Sequence, residues 1–285
     1  MQKVKIITTS GCDLSYKEIE SLGITMIPDW VIFGEDEQYR NNIDILPEEF
    51  YSRIATDKVL PTSAHPSPAQ FTETFEAFAD VDEIICIVVS SQMAGAYNTA
   101  SFTAEQLMED GIHAKIHIFD SLQISLGMGI QVLEAAKLAN AGASAEEILD
   151  HLAKIRSNMG LYFVMNTLDY ARRGGRIGAI TAVAANTLGV KPLLTFKDGI
   201  VSDLSINRTL KSGIKSIYKK FATLADDDQE VFIFHANNEQ GANALKAMIQ
   251  EEFPQIHPRI QWVGPVVGLY SGPGCVGMAF RQKEV

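Results

Sequence analysis

Two hydrophobic rhythms alternate along this chain. Val4 to Thr9, Ile24 to Ile27, Glu83 to Val89 and His117 to Asp120 are short, largely apolar runs closed by small or turn-forming residues. Unbroken runs of this kind suit strands covered on both faces. Between them the apolar positions return at helical spacing. Pro47-Glu48-Glu49 sets a proline and two acids at a first helical turn, and Ser67-Pro68 opens a segment with Phe71, Phe75 and Phe78 on one face. Further helices are expected from about Gly95 to Glu109 and from about Ser144 to Asn158, with Asp13 and Ser121 as caps of the helices that follow them. Strand–helix alternation at this spacing predicts an α/β fold whose first sheet is mostly parallel and flanked by helices.

From Leu161 the pattern changes. Leu161 to Met165 reads as a strand, followed by a Gly-rich turn at Gly174-Gly175 and a hairpin-like run from Leu193 to Asp203. An amphipathic helix is expected near Thr209 to Phe221, a strand over Glu230 to His235, a helix near Asn238 to Glu252 and a strand near Arg259 to Val263. A hairpin among such elements predicts a second α/β domain on a mixed sheet. The expected domains are 1–160 and 161–285, with the boundary near Gly160.

Composition narrows the function classes. With 285 residues, 46% apolar and 21% charged, the chain can bury a large core. A net charge of −11 disfavours a broad nucleic-acid footprint and an anionic membrane surface. Cys12, Cys86 and Cys275 are far apart and form no C-x-x-C pair, so neither a disulfide framework nor a zinc ribbon is expected, and a cytoplasmic location is. No secretory leader is expected, and no apolar run approaches the ~18 residues of a membrane span.

Three small-residue turns carry the candidate chemistry. They are Pro61 to Pro68, Ser90 to Tyr97, and Tyr270 to Gly274. Hydroxyls and backbone N–H groups beside helix starts suit an anionic group. Ser10-Gly11-Cys12-Asp13 reads equally as an anion-binding turn or an ordinary cap. Gly272 to Gly277 satisfies G-x-G-x-x-G, but only eight residues follow it, too few for a dinucleotide-binding unit. There is no G-x-S-x-G elbow, no P-loop and no metal-ligand set, so no catalytic residue, metal or cofactor is expected. The Arg172 to Arg176 run concentrates positive charge around two glycines in an acidic chain, a setting in which Arg grips phosphate or a partner.

Taken in order, these turns resemble the DegV family of fatty-acid-binding proteins, which includes the binding subunits of bacterial fatty acid kinase. Thr9-Ser10-Gly11-Cys12-Asp13-Leu14 is similar to the family's D-S-x-x-D-L, with Thr9 in place of the first acid, and Asn41 stands where an Asp is usual. Pro61 to Ser67 resembles P-T-T-S-Q-P-S, and Ser90 to Thr99 resembles S-S-x-L-S-G-T-Y-x-S. Leu168 to Gly178 is similar to L-x-Y-L-x-x-G-G-R-I-G, and Gly268 to Gly274 to G-A-H-T-G-P-G. The resemblance implies a ligand site of Thr62, Ser63, His65, Ala94, Gly95, Tyr270, Ser271 and Gly272, with the 268–277 turn returning to the ligand head group. Ser63 falls on a carboxylate-contacting threonine, His65 replaces a glutamine, Ala94 a carboxylate-binding serine, and Tyr270 a head-group histidine. It further implies that Arg173 and Arg176 meet a partner or an acyl-phosphate, and that the partner is an ATP-dependent fatty acid kinase subunit.

The reading is therefore a carrier with no catalysis of its own. It holds a long-chain fatty acid such as palmitate in an apolar tunnel and is not inserted in a membrane. About 14 methylenes at ~0.8 kcal/mol each give on the order of 11 kcal/mol gross, against ~1 kcal/mol net per neutral hydrogen bond, so the tunnel supplies affinity and the turns fix orientation. The tunnel is expected between the two blocks or inside the first, with Ile27, Phe33, Met93, Leu126, Met128 and Met165 as candidate walls. Two rivals stand beside it. One is a hydrolase or transferase on a small anionic metabolite, using Ser63, Ser91 or Ser121 with His65. The other is a lipid sensor without a kinase.

Overall fold

The computed structural model describes residues 4–57, 60–176, 189–226 and 229–283. The first apolar runs become β1 (Val4–Thr9), β2 (Thr25–Ile27), β6 (Glu83–Val88) and β7 (Lys115–Asp120), joined in the order β2-β1-β6-β7 with every neighbour parallel. A parallel sheet needs both faces covered. On one face, Phe71 and Phe75 of α3 (Pro68–Glu76) and Ala96, Ala100 and Ala104 of α4 (Ala96–Glu109) cluster with Ile84, Cys86 and Val88. Between β2 and β6 the chain builds a small antiparallel sheet, β4-β3-β5, from β3 (Trp30–Phe33), β4 (Glu37–Arg40) and β5 (Thr62–Ala64). These strands are only three or four residues long; β3 is a short apolar run, whereas β4 is largely exposed and β5 is small and polar.

The second half forms a six-stranded mixed sheet. Its strands are β8 (Met159–Val164), β9 (Lys191–Lys197), β10 (Ile200–Asn207), β11 (Phe232–His235), β12 (Arg259–Trp262) and β13 (Val276–Arg281), in the order β10-β9-β8-β13-β11-β12. Only β11 and β12 run parallel. α8 (Leu210–Leu224) and α9 (Glu239–Glu252) cover its outer face, bringing Ile217, Phe221, Leu245 and Ile249 against Val164, Ile233 and Phe280.

α5 (Ser125–Asn140) lies between the two sheets. It touches β1 and the Ser10–Cys12 turn on one side and β8 and β13 on the other. Nearly every residue from Ser125 to Ala136 is buried, as a helix enclosed on all sides requires. Gly129 permits that approach, because a Cβ there would stand 2.9 Å from the Cys12 carbonyl oxygen. One apolar cluster runs from Val4 and Ile6 through α5 to Phe234 and Ala279, so the core is continuous past residue 160.

Two expected caps are corrected. α1 (Tyr16–Ser21) is capped by Ser15, whose hydroxyl accepts from Glu18 N while the Glu18 carboxylate accepts from Ser15 N. Asp13 is buried in a left-handed conformation, φ 54°, and its carboxylate is engaged elsewhere. Ser121 does not cap α5; its hydroxyl bonds within the turn to Gln123 N and O, and α5 begins at Ser125. Ser67 and Ser144 do cap their helices, through capping boxes with Gln70 and Glu147; the latter starts α6 (Ala145–Ser157).

Candidate functional site

A cavity of about 180 Å³ lies between the mixed sheet and the loops that follow the parallel strands, with β5 beside it. For scale, a dry apolar cavity of about 150 Å³ accepts benzene. The wall from the second half is almost wholly hydrocarbon: Leu161 and Phe163 of β8, Phe196 of β9, Val201 of β10 and Phe234 of β11. Strand alternation sends one set of side chains inward here and the other set outward beneath α8 and α9. The wall from the first half is mixed. It comprises Gly11, Asp29, Ser63 to His65, Val89, Met93 to Gly95, Ile124 and Ser125.

Polar groups gather where the end of β5, the start of α4 and the end of α10 (Pro265–Ser271) meet. Ser63 Oγ and the Tyr270 hydroxyl share a hydrogen bond of 2.8 Å. His65 Nε2 lies 3.1 Å from Thr99 Oγ1, and burial lowers the His65 pKa, favouring the neutral ring at neutral pH. A Cβ on Gly95 would come within 3.0 Å of that ring, so a glycine there lets the helix start close against it. α4 opens with no side-chain cap. The Ser271 hydroxyl is buried beside the cavity, within reach of the Tyr51 hydroxyl. At the rim, the Arg176 guanidinium sits 4.7 Å from the centre of the Tyr270 ring, and its Nη1 donates to Gly174 O at 2.9 Å. Gly174 packs so tightly on Tyr270 that a Cβ would stand 2.5 Å from the ring.

Two carboxyls lie under this cluster. Asp29 Oδ2 accepts from Ser10 Oγ and Gly11 N, both at 2.9 Å, and burial raises its pKa to about 6. Asp13 accepts from Ser125 Oγ at 2.6 Å and Gly264 N at 3.1 Å, and burial raises its pKa to about 7. Asn41 donates to Ser10 Oγ at 3.0 Å and accepts from Val266 N at 3.0 Å, linking Asp29 to α10.

The cavity brings together seven of the expected site residues: Ser63, His65, Ala94, Gly95, Tyr270, Ser271 and Arg176. Thr62 is exposed beside it, and Gly272 is turned onto Tyr170. Arg173 is exposed at the end of α7 (Asp169–Arg173) and lies outside the lining. Ile177 and Gly178 of the Gly-rich run lie outside the described residues. Of the expected walls, Met93 and Met165 line the cavity, whereas Ile27, Phe33, Leu126 and Met128 are buried in the core elsewhere. Sequence reasoning missed Asp29, Ser125 and Thr99. The one available signal was a lone acid in Ile27-Pro28-Asp29-Trp30, between apolar runs that become strands. Among the described residues no group of His, Cys, Asp and Glu could hold a metal ion, and no helix is long and apolar enough to cross a membrane.

The family model described as "Uncharacterised protein, DegV family" matches residues 3–283. The chain belongs to the DegV family. A DegV domain-containing protein of Halalkalibacterium halodurans is 33% identical over 288 aligned positions that span the whole of both chains. A DegV family protein from Thermus thermophilus, described for its fatty acid binding, superposes with a TM-score of 0.89 at 27% identity, covering 98% of this chain and 99% of its own. DegV of Bacillus subtilis, described as a fatty acid binding protein, gives a TM-score of 0.89 at 26% identity over 99% of each chain. These whole-length likenesses bear out the expected α/β architecture, a parallel sheet and a mixed sheet with flanking helices.

Proposed function

We propose that this DegV protein binds a long-chain fatty acid in this cavity. Its carboxylate would meet Ser63, Tyr270, Ser271 and the opening of α4, with His65 alongside and Arg176 over the rim. The observation that carries this reading is an apolar cavity ending at the Ser63–Tyr270 hydroxyl pair, with the buried Ser271 hydroxyl beside it. A ligand carboxylate would accept hydrogen bonds from these hydroxyls. The fatty acid binding of the Thermus thermophilus and Bacillus subtilis proteins supports the same reading. Tyr270 would act as the phenol donor at the head group.

We further propose two domains, 1–160 and 161–285, and presentation of the carboxylate to a separate ATP-using kinase that docks at Arg173 and Arg176. The hydrolase alternative needs Ser63, Ser91 or Ser121 paired with His65, but Ser63 bonds Tyr270, Ser121 bonds Gln123 and His65 bonds Thr99. Mass spectrometry of the gently purified protein tests the carrier reading: a bound fatty acid is expected. Repeatedly empty protein that takes up neither palmitate nor oleate would reject it. For the kinase step, Arg173→Glu should abolish capture of an ATP-dependent partner while leaving palmitate binding intact.

A further inference from the structure

Asp29 gives the cavity a feature that a plain acyl chain does not use. The residue is 4% exposed, lines the cavity, and places both of its internal donors, Ser10 Oγ and Gly11 N, on Oδ2. The backbone N–H of Asp29 also favours its carboxylate, and no side chain of another described residue donates to Oδ1. An aliphatic chain passing this oxygen would leave a buried acceptor unsatisfied, which is unfavourable wherever water is excluded.

Its position relative to the head-group site follows from strand register. Val31 pairs directly with Ser63 across β3 and β5. Asp29 lies two residues before Val31, and side chains repeat on one face with a period of two. Diagonal neighbours of this kind lie roughly 7–8 Å apart. Asp29 lies just ahead of β3 and lines the same cavity as Ser63, so a chain whose carboxyl is held at Ser63 has Asp29 on the wall near that end.

We propose that Asp29 is a specificity-determining residue that selects acyl chains bearing a hydroxyl near the carboxyl end, with the ligand O–H donating to Asp29 Oδ1. This rests on the fatty-acid reading of the cavity. A hydroxyl suits the niche better than an ammonium. Ser10 Oγ and Gly11 N already serve one carboxylate oxygen, and stripping water from a full charge inside hydrocarbon walls is strongly unfavourable. Burial raises the Asp29 pKa to about 6, against which the Ser10 and Gly11 hydrogen bonds favour the carboxylate. A site built to pair a hydroxyl discriminates against the analogue that lacks it.

The test is a competition series on the full chain with hexadecanoic acid and its 2-, 3-, 6- and 16-hydroxy derivatives. At least one of the 2-, 3- or 6-hydroxy acids should bind about tenfold or more tightly than hexadecanoic acid, while the 16-hydroxy acid gains nothing. Asp29→Leu should erase the preference, so that hexadecanoic acid and its hydroxy derivatives bind alike. Hexadecanoic acid bound with no gain from any near-head hydroxyl overturns the inference and leaves the carrier reading standing. Failure of every acid to bind removes both. If Asp29→Leu does not fold, the structure of the parent with its best hydroxy acid decides. A ligand oxygen about 2.7 Å from Asp29 Oδ1 supports the assignment; a hydroxyl pointing elsewhere, with water beside Asp29, overturns it.

Discussion

The two walls of the cavity are built on opposite principles. The mixed-sheet wall presents Leu161, Phe163, Phe196, Val201 and Phe234, side chains that any hydrocarbon satisfies. The opposite wall presents Asp29, Ser63, His65 and the uncapped start of α4, groups that require particular partners at particular places. Apolar burial is non-directional and proportional to area, whereas hydrogen bonds are directional and modest in net energy. One wall should therefore set how tightly an occupant is held, and the other which way round it lies and what it carries.

The largest effect should come from obstructing the hydrocarbon wall. Val201→Trp fills the bore from β10 and is expected to weaken palmitate binding by more than about 100-fold with little loss of thermal stability, read by calorimetry and melting. Undiminished binding would mean the chain does not run along this wall. Next in size, Ser63→Val and Tyr270→Phe should each weaken binding by about tenfold, the scale of one hydrogen bond to a charged group. Because the two hydroxyls share one bond, their effects should be non-additive in a double-mutant cycle. Strict additivity would argue that they do not act on the same head group.

The third expectation concerns pH and the carboxyls behind the polar wall. Burial raises Asp13 to about 7, above its ordinary 3.8. Below about pH 4 the group is protonated whether folded or not. Between about 4 and 7 the folded chain keeps a proton that the unfolded chain releases, so this contribution to stability is lost as pH rises through the window. Burial lowers His65 and His235, which act in the opposite sense near the upper end of it. Asp13→Asn keeps the left-handed backbone accessible and removes the titration. Its melting temperature should therefore decline less than that of the parent between pH 4 and 8, and an identical decline would place the titrating group elsewhere. The smallest effect is a control remote from both walls. Ser144→Ala removes the cap of α6, with a loss of about 1 kcal/mol in stability and no change in ligand affinity.

The contrast between the walls also explains what could be read in advance. Continuous apolar runs placed β1 and β6 closely and β7 to within two residues, and Ser67-Pro68 and Ser144 marked the starts of their helices. Local signals of this kind fail when tertiary contacts claim the side chain. Asp13 stands where a cap is plausible, yet Ser125 and Gly264, more than a hundred positions away, hold its carboxylate. The hydroxyl turns at Ser63, Gly95 and Ser271 were legible because their composition is unusual. The hydrocarbon wall was not: Phe163, Phe196, Val201 and Phe234 look like any core residue until the two halves of the chain face each other across a gap. Asp29 was missed for the converse reason, since a single acid beside a proline resembles an ordinary loop.

The seam between the walls has one last implication. Since the two walls come from opposite halves of the chain, a ligand would serve as mortar, and a loaded molecule should resist proteolysis and amide exchange along β8 and β10 better than an empty one. Delivering the cargo would then loosen its carrier, so that the discharged protein is the one most readily cleared or refilled.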